Sequence, residues 1–515
     1  LPLPTDRGDL FSGSGACGIC HTNLQDEAGV DVSLDTFWRS TMMANAARDP
    51  YWQAAVRLEV EENPELRSVI EDKCATCHMP MARTTILARG REAEVLDGGL
   101  INPENDLHAL AMDGVSCTLC HQIEEDQLGN PASFSGGYVI DLETPMGERV
   151  NFGPYPVGQG AANIMQSASG FIPVEGPHMS EPEFCATCHT LYTPYLDSTG
   201  EVAGEFPEQM AYFEWGHSAY QGVQVCQDCH MPIAEGEVPV SNVGGQARAP
   251  FYQHVFVGGN AYILRILQAY AEELGVTAST DDFEATIGRV LDQLQNRTAN
   301  VSLEDVSVTG AELGATVVVE NNVGHKFPTG FPSRRTWLHF SVVDGNGDTV
   351  FESGAYNNDG SIVGNDNDDD MTLYEPHYEQ IESPDQVQIY ETILQDTEGS
   401  VTTVLLLGSG YAKDNRLLPA GFDKATAEEQ IAVHGLAADD QDFSSGEDRV
   451  RYLVELGSAQ GPFAVRVELL YQSIGYRWAD NTGRDSSTEG ARFADYYSAI
   501  SNLPVVVTSV EAVVQ

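Results

Sequence analysis

Residues 114–121 read Gly114-Val-Ser-Cys-Thr-Leu-Cys-His121, and the last five of them form a pattern that recurs four times elsewhere in the chain. The copies are Cys17-Gly-Ile-Cys-His21, Cys74-Ala-Thr-Cys-His78, Cys185-Ala-Thr-Cys-His189 and Cys226-Gln-Asp-Cys-His230, and together with Cys117-Thr-Leu-Cys-His121 they use all 10 cysteines. Two residues between the cysteines bring both sulfurs to one edge of a flat ring, where the thiols add across two vinyl groups. The histidine in the next position then reaches a metal at the ring centre. This is the attachment chemistry of haem c. Zinc sites and thioredoxin-like pairs also use Cys-x-x-Cys, but neither asks for an adjoining histidine every time. A disulfide framework, the usual reading of many cysteines in an exported chain, leaves the same regularity unexplained. The spacing therefore predicts five haem c groups, tethered through Cys17 and Cys20, Cys74 and Cys77, Cys117 and Cys120, Cys185 and Cys188, and Cys226 and Cys229. His21, His78, His121, His189 and His230 would be the proximal iron ligands.

The sixth position on each iron separates an electron carrier from an enzyme. Of the 13 histidines, those outside the motifs are His108, His178, His217, His254, His325, His339, His377 and His434. His108 and His178 each stand shortly before a motif, in Asp-Leu-His-Ala-Leu and Gly-Pro-His-Met-Ser, and His217 in Trp-Gly-His-Ser precedes Cys226. His254 is flanked by aromatic residues in Phe-Tyr-Gln-His-Val-Phe, a suitable wall for a porphyrin face. His325 opens the proline-stiffened run His-Lys-Phe-Pro-Thr-Gly-Phe-Pro. These five are the candidate distal ligands. His339 sits mid-strand between Leu338 and Phe340 and reads as a sheet residue, His434 has a polar, loop-like setting and no assigned role, and His377 is held in reserve. Met42 or Met43 offers a thioether for the first haem, although helix packing is the simpler role for both.

With 515 residues the chain should divide into two or three domains. Its first residue is Leu1, which suggests a mature N-terminus left by a removed signal peptide. That fits haem attachment outside the cytoplasm, in the periplasm or at the cell surface. No apolar run approaches the roughly 20 residues of a membrane span. A formal charge of -51, from 77 acidic against 26 basic residues, excludes nucleic acid as a partner. It favours cationic partners, divalent ions or a saline medium that screens self-repulsion.

All five motifs fall between residues 17 and 230, in a Gly- and Pro-rich stretch with few long periodic segments. We expect the macrocycles themselves to supply the core there, wrapped by short helices and loops. The pattern predicts helices over Asp35–Arg48, stopped by Pro50, and over Trp52–Val60. Further helices are expected over Ala261–Leu274 and along the stripe Phe283, Ile287, Val290, Leu291 and Leu294, with a capping sequence at Ser279 and Asp282. From about residue 303 the period changes to two. Strands are expected over Ala315–Glu320, Thr336–Asp344, Thr349–Glu352, Val387–Leu394, Val401–Leu407, Val450–Glu455 and Phe463–Tyr471, with turns at residues 345–348 and 397–399. The fold class is α+β. A haem-cored domain (1–260) is followed by a helical connector (261–302) and an antiparallel, immunoglobulin-like β-sandwich (303–515).

The run Asn365-Asp-Asn-Asp-Asp-Asp370 offers hard oxygen donors suited to calcium, without the ligand spacing of an EF-hand. A solvated acidic loop is its other reading. Asn296-Arg-Thr and Asn300-Val-Ser match glycosylation sequons.

The segments Trp38-Arg-Ser-Thr-Met-Met, Gly114-Val-Ser-Cys-Thr-Leu-Cys-His, Cys185-Ala-Thr-Cys-His-Thr-Leu-Tyr, Cys226-Gln-Asp-Cys-His-Met-Pro and Gly324-His-Lys-Phe-Pro-Thr-Gly resemble those of exported bacterial and archaeal multihaem cytochromes. In these a haem domain precedes a β-sandwich. The resemblance implies respiratory or extracellular electron transfer to redox partner proteins or extracellular acceptors, with His325 as a distal ligand. By analogy it also brings assembly into a homo-oligomer or conducting filament. One rival stays open: a multihaem reductase of a small nitrogen or sulfur compound, with one iron left five-coordinate.

Overall fold

The computed structural model describes residues 1–484 and 486–515. By compactness the chain divides into two units. Leu1–Cys188, Gln224–Val290 and Asp485–Phe493 form the first, and His189–Val223, Leu291–Arg484 and Ala494–Gln515 form the second. The units interleave along the chain rather than following one another.

Short helices carry the five motifs, all of whose residues except His189 belong to the first unit. Arg67–His78, Pro182–His189 and Cys226–His230 end on a motif histidine, Cys117–Cys120 stops one residue before His121, and Gly15–Gly18 covers the start of the first motif. Residues i and i+3 of a helix share a face, so helical backbone is what points both sulfurs of a motif the same way. Buried apolar side chains of this unit gather in clusters. One cluster gathers Leu24, Phe37, Val238, Phe251 and Val255, and another Leu10, Phe11, Met81, Leu119 and Ile123.

Two helices end earlier than periodicity predicts. Leu34–Arg39 is helical, but residues 40–48 form turns, because polar side chains there bond to backbone that a longer helix would use. Thr41 Oγ1 donates to the Trp38 carbonyl, and Asn45 Nδ2 donates to the carbonyls of Arg39 and Thr41. Pro50 opens the next helix, Pro50–Glu62, as its first residue, with Asp49 accepting from the amides of Tyr51 and Trp52. Ala261–Ala269 likewise stops short of Leu274. The helix Thr280–Arg297 has the expected cap: the Asp282 amide donates to Ser279 Oγ (3.2 Å) and the Ser279 amide to the Asp282 carboxylate (2.9 Å). Its apolar stripe of Phe283, Ile287, Val290 and Leu294 is buried.

The second unit is built on two antiparallel sheets. One runs Thr349–Ser353, Arg335–Val343, Phe463–Gln472 and Val505–Val514 in spatial order, and Ile389–Tyr390 also pairs with Arg335–Val343. The other runs Glu447–Glu455, Glu312–Asn321 and Ala299–Thr309, with the short strand Gln380–Ile381 joining Glu447–Glu455 in parallel. The sheets meet face to face where Phe340 stacks on Tyr452 with ring centroids 3.9 Å apart. The predicted strand Val387–Leu394 is split: Ile389–Tyr390 joins the first sheet, while Thr392–Gln395 joins a separate three-stranded sheet with Val401–Thr402 and Gly410–Asp414. Leu405–Leu407 is a 3₁₀ turn rather than a strand. Helices Tyr476–Gly483 and Thr488–Ala499, the strand Val505–Val514 and the hairpin of Thr190–Leu196 with Val202–Met210 complete the chain. No helix among the described residues is long and apolar enough to cross a membrane.

Candidate haem-binding sites

None of the ten cysteines is disulfide-bonded, as covalent attachment to a ring requires. The motif histidines give a sharper test of fit. Nδ1 of His21 lies 2.6 Å from the carbonyl of Val240, that of His78 3.0 Å from Ala46, that of His121 2.5 Å from Phe152 and that of His230 2.5 Å from Val257. A carbonyl can only accept, so Nδ1 carries the proton in each ring and Nε2 holds the lone pair that an iron takes. Burial favours the neutral form of three of them. It lowers the pKa of His78 to about 4 and also lowers those of His21 and His121. Trp52 lies flat against His78, with centroids 4.4 Å apart and planes 5° from parallel, which fixes the ring's rotation. Four of the five motif histidines are thus oriented as a covalent haem would need.

The candidate distal histidines fall into two groups. His108, His254 and His325 direct Nδ1 to the carbonyls of Leu100 (2.9 Å), Tyr252 (3.1 Å) and Lys326 (2.8 Å), as the proximal rings do. His178 and His217 are turned the other way, with Nε2 on the carbonyls of Ile123 (3.0 Å) and Asp423 (3.2 Å). His178 is also packed edge-on against Phe152, and His217 against Phe422. One pair of rings stands out. His121 and His254 have centroids 6.4 Å apart and planes 11° from parallel. Two imidazoles on opposite faces of one metal, each with a metal–nitrogen bond of about 2.0 Å, have centroids roughly 6 Å apart. Burial, reinforced by the neighbouring His121, lowers the pKa of His254 to about 4, so it too is neutral.

The remaining histidines are committed elsewhere. His339 on its strand is placed between Glu468 and Glu352. His434 pairs through its backbone with Asp414. His377 is the centre of a buried polar network: Nε2 donates to Asp440 (3.0 Å), while Nδ1 accepts from Gln388 (2.8 Å) and Asn415 (3.1 Å). His377, Asp440 and Asp448 form the one group among the described residues close enough to share a metal. Its chemistry argues against one. Gln388 and Asn415 are oriented by the amides of Tyr378 and Glu391, both present N–H groups to Nδ1, and the proton is therefore on Nε2, where a metal would bind.

The fold engages part of the run read as a calcium loop or a solvated acidic loop. Asp368 is buried in an ion pair with Arg335 (2.8 Å), Asn365 caps its own turn, and Asp370 accepts from Thr372. Asp368 and Asp370 are thus engaged by Arg335, Thr372 and backbone amides, and the run is not among the groups of described residues close enough to share a metal. Met42 and Met43 lie half-buried in the turns before Pro50, where the Met43 carbonyl accepts from the Val115 amide.

Two features of the sites had no motif to signal them. Asp113 is buried between the first and third motifs, and accepts from the amide (2.8 Å) and hydroxyl (2.6 Å) of Ser14 and from the Ser116 hydroxyl (2.7 Å). Burial pushes its carboxyl up to about 6 against these bonds and the nearby Arg48. Glu214 and Lys326 flank the two candidates His217 and His325. Glu214 accepts from the Lys326 amide and from Thr329 and pairs with Arg416, and Lys326 Nζ pairs with Asp414 at 2.7 Å. Burial would raise the Asp414 carboxyl, but Arg416 and Lys326 hold it below the usual range. The only hint in the sequence was that Lys326, one of four lysines, adjoins a histidine.

No family model and no curated protein matches the chain. Among solved structures it is similar to a penta-heme cytochrome c552 from Thermochromatium tepidum, with 14% sequence identity, a TM-score of 0.51, and coverage of 93% of this chain and 95% of that one. At that identity the likeness is one of fold, and the fold it points to is that of a multihaem cytochrome.

Proposed function

We propose that the chain is an exported pentahaem c-type cytochrome that carries electrons for respiratory or extracellular electron transfer, and that its haems are held mainly by pairs of histidines. The observation that supports this reading is the His121–His254 pair, two near-parallel rings with centroids 6.4 Å apart, a spacing that would suit two histidine ligands of one iron. Bound haem supplies reversible one-electron chemistry at iron. The residues supply the rest: the cysteines tether, the carbonyls of Val240, Ala46, Phe152 and Val257 orient the proximal rings, and Trp52 shields His78. The N-terminal part of the chain is read as the haem-bearing domain and the sheets as a docking or assembly module. The charge of -51 favours a cationic redox partner.

A second reading rests on His178 and His217, whose Nε2 atoms face carbonyls. With those two withdrawn, fewer histidines are oriented for the sixth positions, and a reductase with one open iron gains support. Electron paramagnetic resonance and absorption spectra of the holoprotein, with a pyridine haemochrome count and added carbon monoxide or nitrite, decide between them. The carrier reading expects five low-spin haems indifferent to the added ligands. A high-spin haem that binds them would move the function to that iron.

A further inference from the structure

We propose that Glu489 and Arg492, near the far end of the chain, are positioning residues for the haem of the second motif, because they hold the two groups that fix the ring of His78. This rests on the pentahaem reading and adds to it a control acting on one haem alone.

Two contacts fix the His78 ring, and neither comes from its own helix, Arg67–His78. Trp52 lies flat on the ring with centroids 4.4 Å apart, and the Ala46 carbonyl accepts from Nδ1 at 3.0 Å. Trp52 stands in the first turn of the helix Pro50–Glu62, and Ala46 in the turns just before it. Glu489 and Arg492 belong to the same compact unit as these residues.

The first link runs through Gln53, which is buried. Its Nε2 donates to the Ala47 carbonyl at 2.7 Å, and its Oε1 accepts from Arg492, 439 positions away. A guanidinium can only donate, so Arg492 decides which end of the Gln53 amide faces Ala47. Without it the amide can turn, and its oxygen would then repel the Ala47 carbonyl. The Ala46 carbonyl is bonded to the Ala47 nitrogen, so movement of Ala47 carries the acceptor of the His78 proton with it.

The second link runs through Arg57, on the helix of Trp52. Arg57 pairs with Glu489 (2.9 Å) and with Asp97 (2.8 Å). Asp97 in turn pairs with Arg67 (2.8 Å), the first residue of the helix that ends on His78, and Arg67 pairs with Glu71 (2.7 Å) inside that helix. The side chains of Arg57 and Glu489 are only 12% and 7% exposed, against 40% and 55% for Arg67 and Asp97. The Glu489 link is therefore the one that water and salt screen least. Phe493 adds a ring contact to Tyr51, the neighbour of Trp52, with centroids 5.2 Å apart.

A hydrogen bond from Nδ1 to a carbonyl makes the imidazole a stronger donor to iron and favours the oxidised haem. Loosening the Ala46 bond thus raises the potential of the second haem and of no other.

Redox titration of the holoprotein followed by electron paramagnetic resonance tests this, with Trp52→Leu marking the signal of the second haem. Arg492→Met is expected to shift that same low-spin signal and raise its midpoint potential, with the other four in place. Arg492→Lys, which keeps a donor for Gln53, should return the signal toward that of the parent. An unmoved signal, or movement of a different one, overturns the proposal even where the unfolding midpoint falls, since a merely structural role would do that. Should Arg492→Met fail to fold, Glu489→Gln, which keeps the shape and removes the charge, is read in the same way. Haem content by pyridine haemochrome and intact mass separates the two levels: fewer than five haems in the parent overturns the reading beneath, whereas five haems with an unmoved signal overturns the positioning role alone.

Discussion

Replacing His254 with alanine should convert one of the five haems from low to high spin and let it bind carbon monoxide, leaving the other four unchanged. Absorption and electron paramagnetic resonance spectra check this, and an unaltered spectrum would remove His254 from the iron. Asp113 makes a prediction of a different kind. Its folded pKa of about 6 lies above that of a free carboxyl, so the native state binds more protons than the unfolded chain between about pH 4 and 6. The stabilisation it contributes is present at low pH and is lost as pH rises through 6, a change on the order of 2–3 kcal/mol. Asp113→Asn should flatten that part of the stability profile, measured by denaturant unfolding at pH 4 and pH 7. At this scale the sequence pointed to the atoms that would hold haems but not to which nitrogen of each histidine would face an iron. That choice is made by distant carbonyls, such as Val240 for His21, 219 positions along the chain. The same distance explains why five candidate distal histidines looked equivalent when His178 and His217 are turned differently from the rest.

Among the elements, the helix Thr280–Arg297 and the strands Arg335–Val343 and Phe463–Gln472 could be read from periodicity because burial of one face determines them. Ser279→Ala should cost about 1 kcal/mol through loss of the cap, seen as a lower unfolding midpoint. The segment 40–48 was misread as helix because apolar spacing says nothing of Thr41 and Asn45 bonding to nearby carbonyls. The loop of His325 depends on partners far away in sequence. Lys326→Met would strand Asp414 beside Arg416, and because Lys326 and Asp414 are fully buried the expected cost is about 3–5 kcal/mol, measured by thermal or denaturant unfolding. A haem that lost its His325 ligand would shift its spectrum in the same variant, whereas a purely structural role would leave the spectrum as it was.

For the molecule as a whole, the charge of -51 sets the response to salt. Raising the ionic strength from about 0.01 M to about 0.15 M shortens the Debye length from about 30 to 8 Å. The thermal midpoint should therefore rise with salt, while association with a cationic partner weakens over the same range. A midpoint independent of salt would show that the acidic surface carries little self-repulsion. Composition disclosed this charge at once, but it could not disclose that the chain returns to an earlier unit at residues 485–493, since no local pattern records where a segment packs.

The carbonyl that orients His21 belongs to Val240, which lies beyond the last of the five motifs. A haem joined to Cys17 and Cys20 before the chain has folded would have no settled proximal imidazole, because His21 is oriented only once residue 240 packs against it. A truncation after residue 230 would keep all five motifs but lose the carbonyls that orient His21 and His230 together with His254, so the first, third and fifth haems would be spectroscopically unfinished.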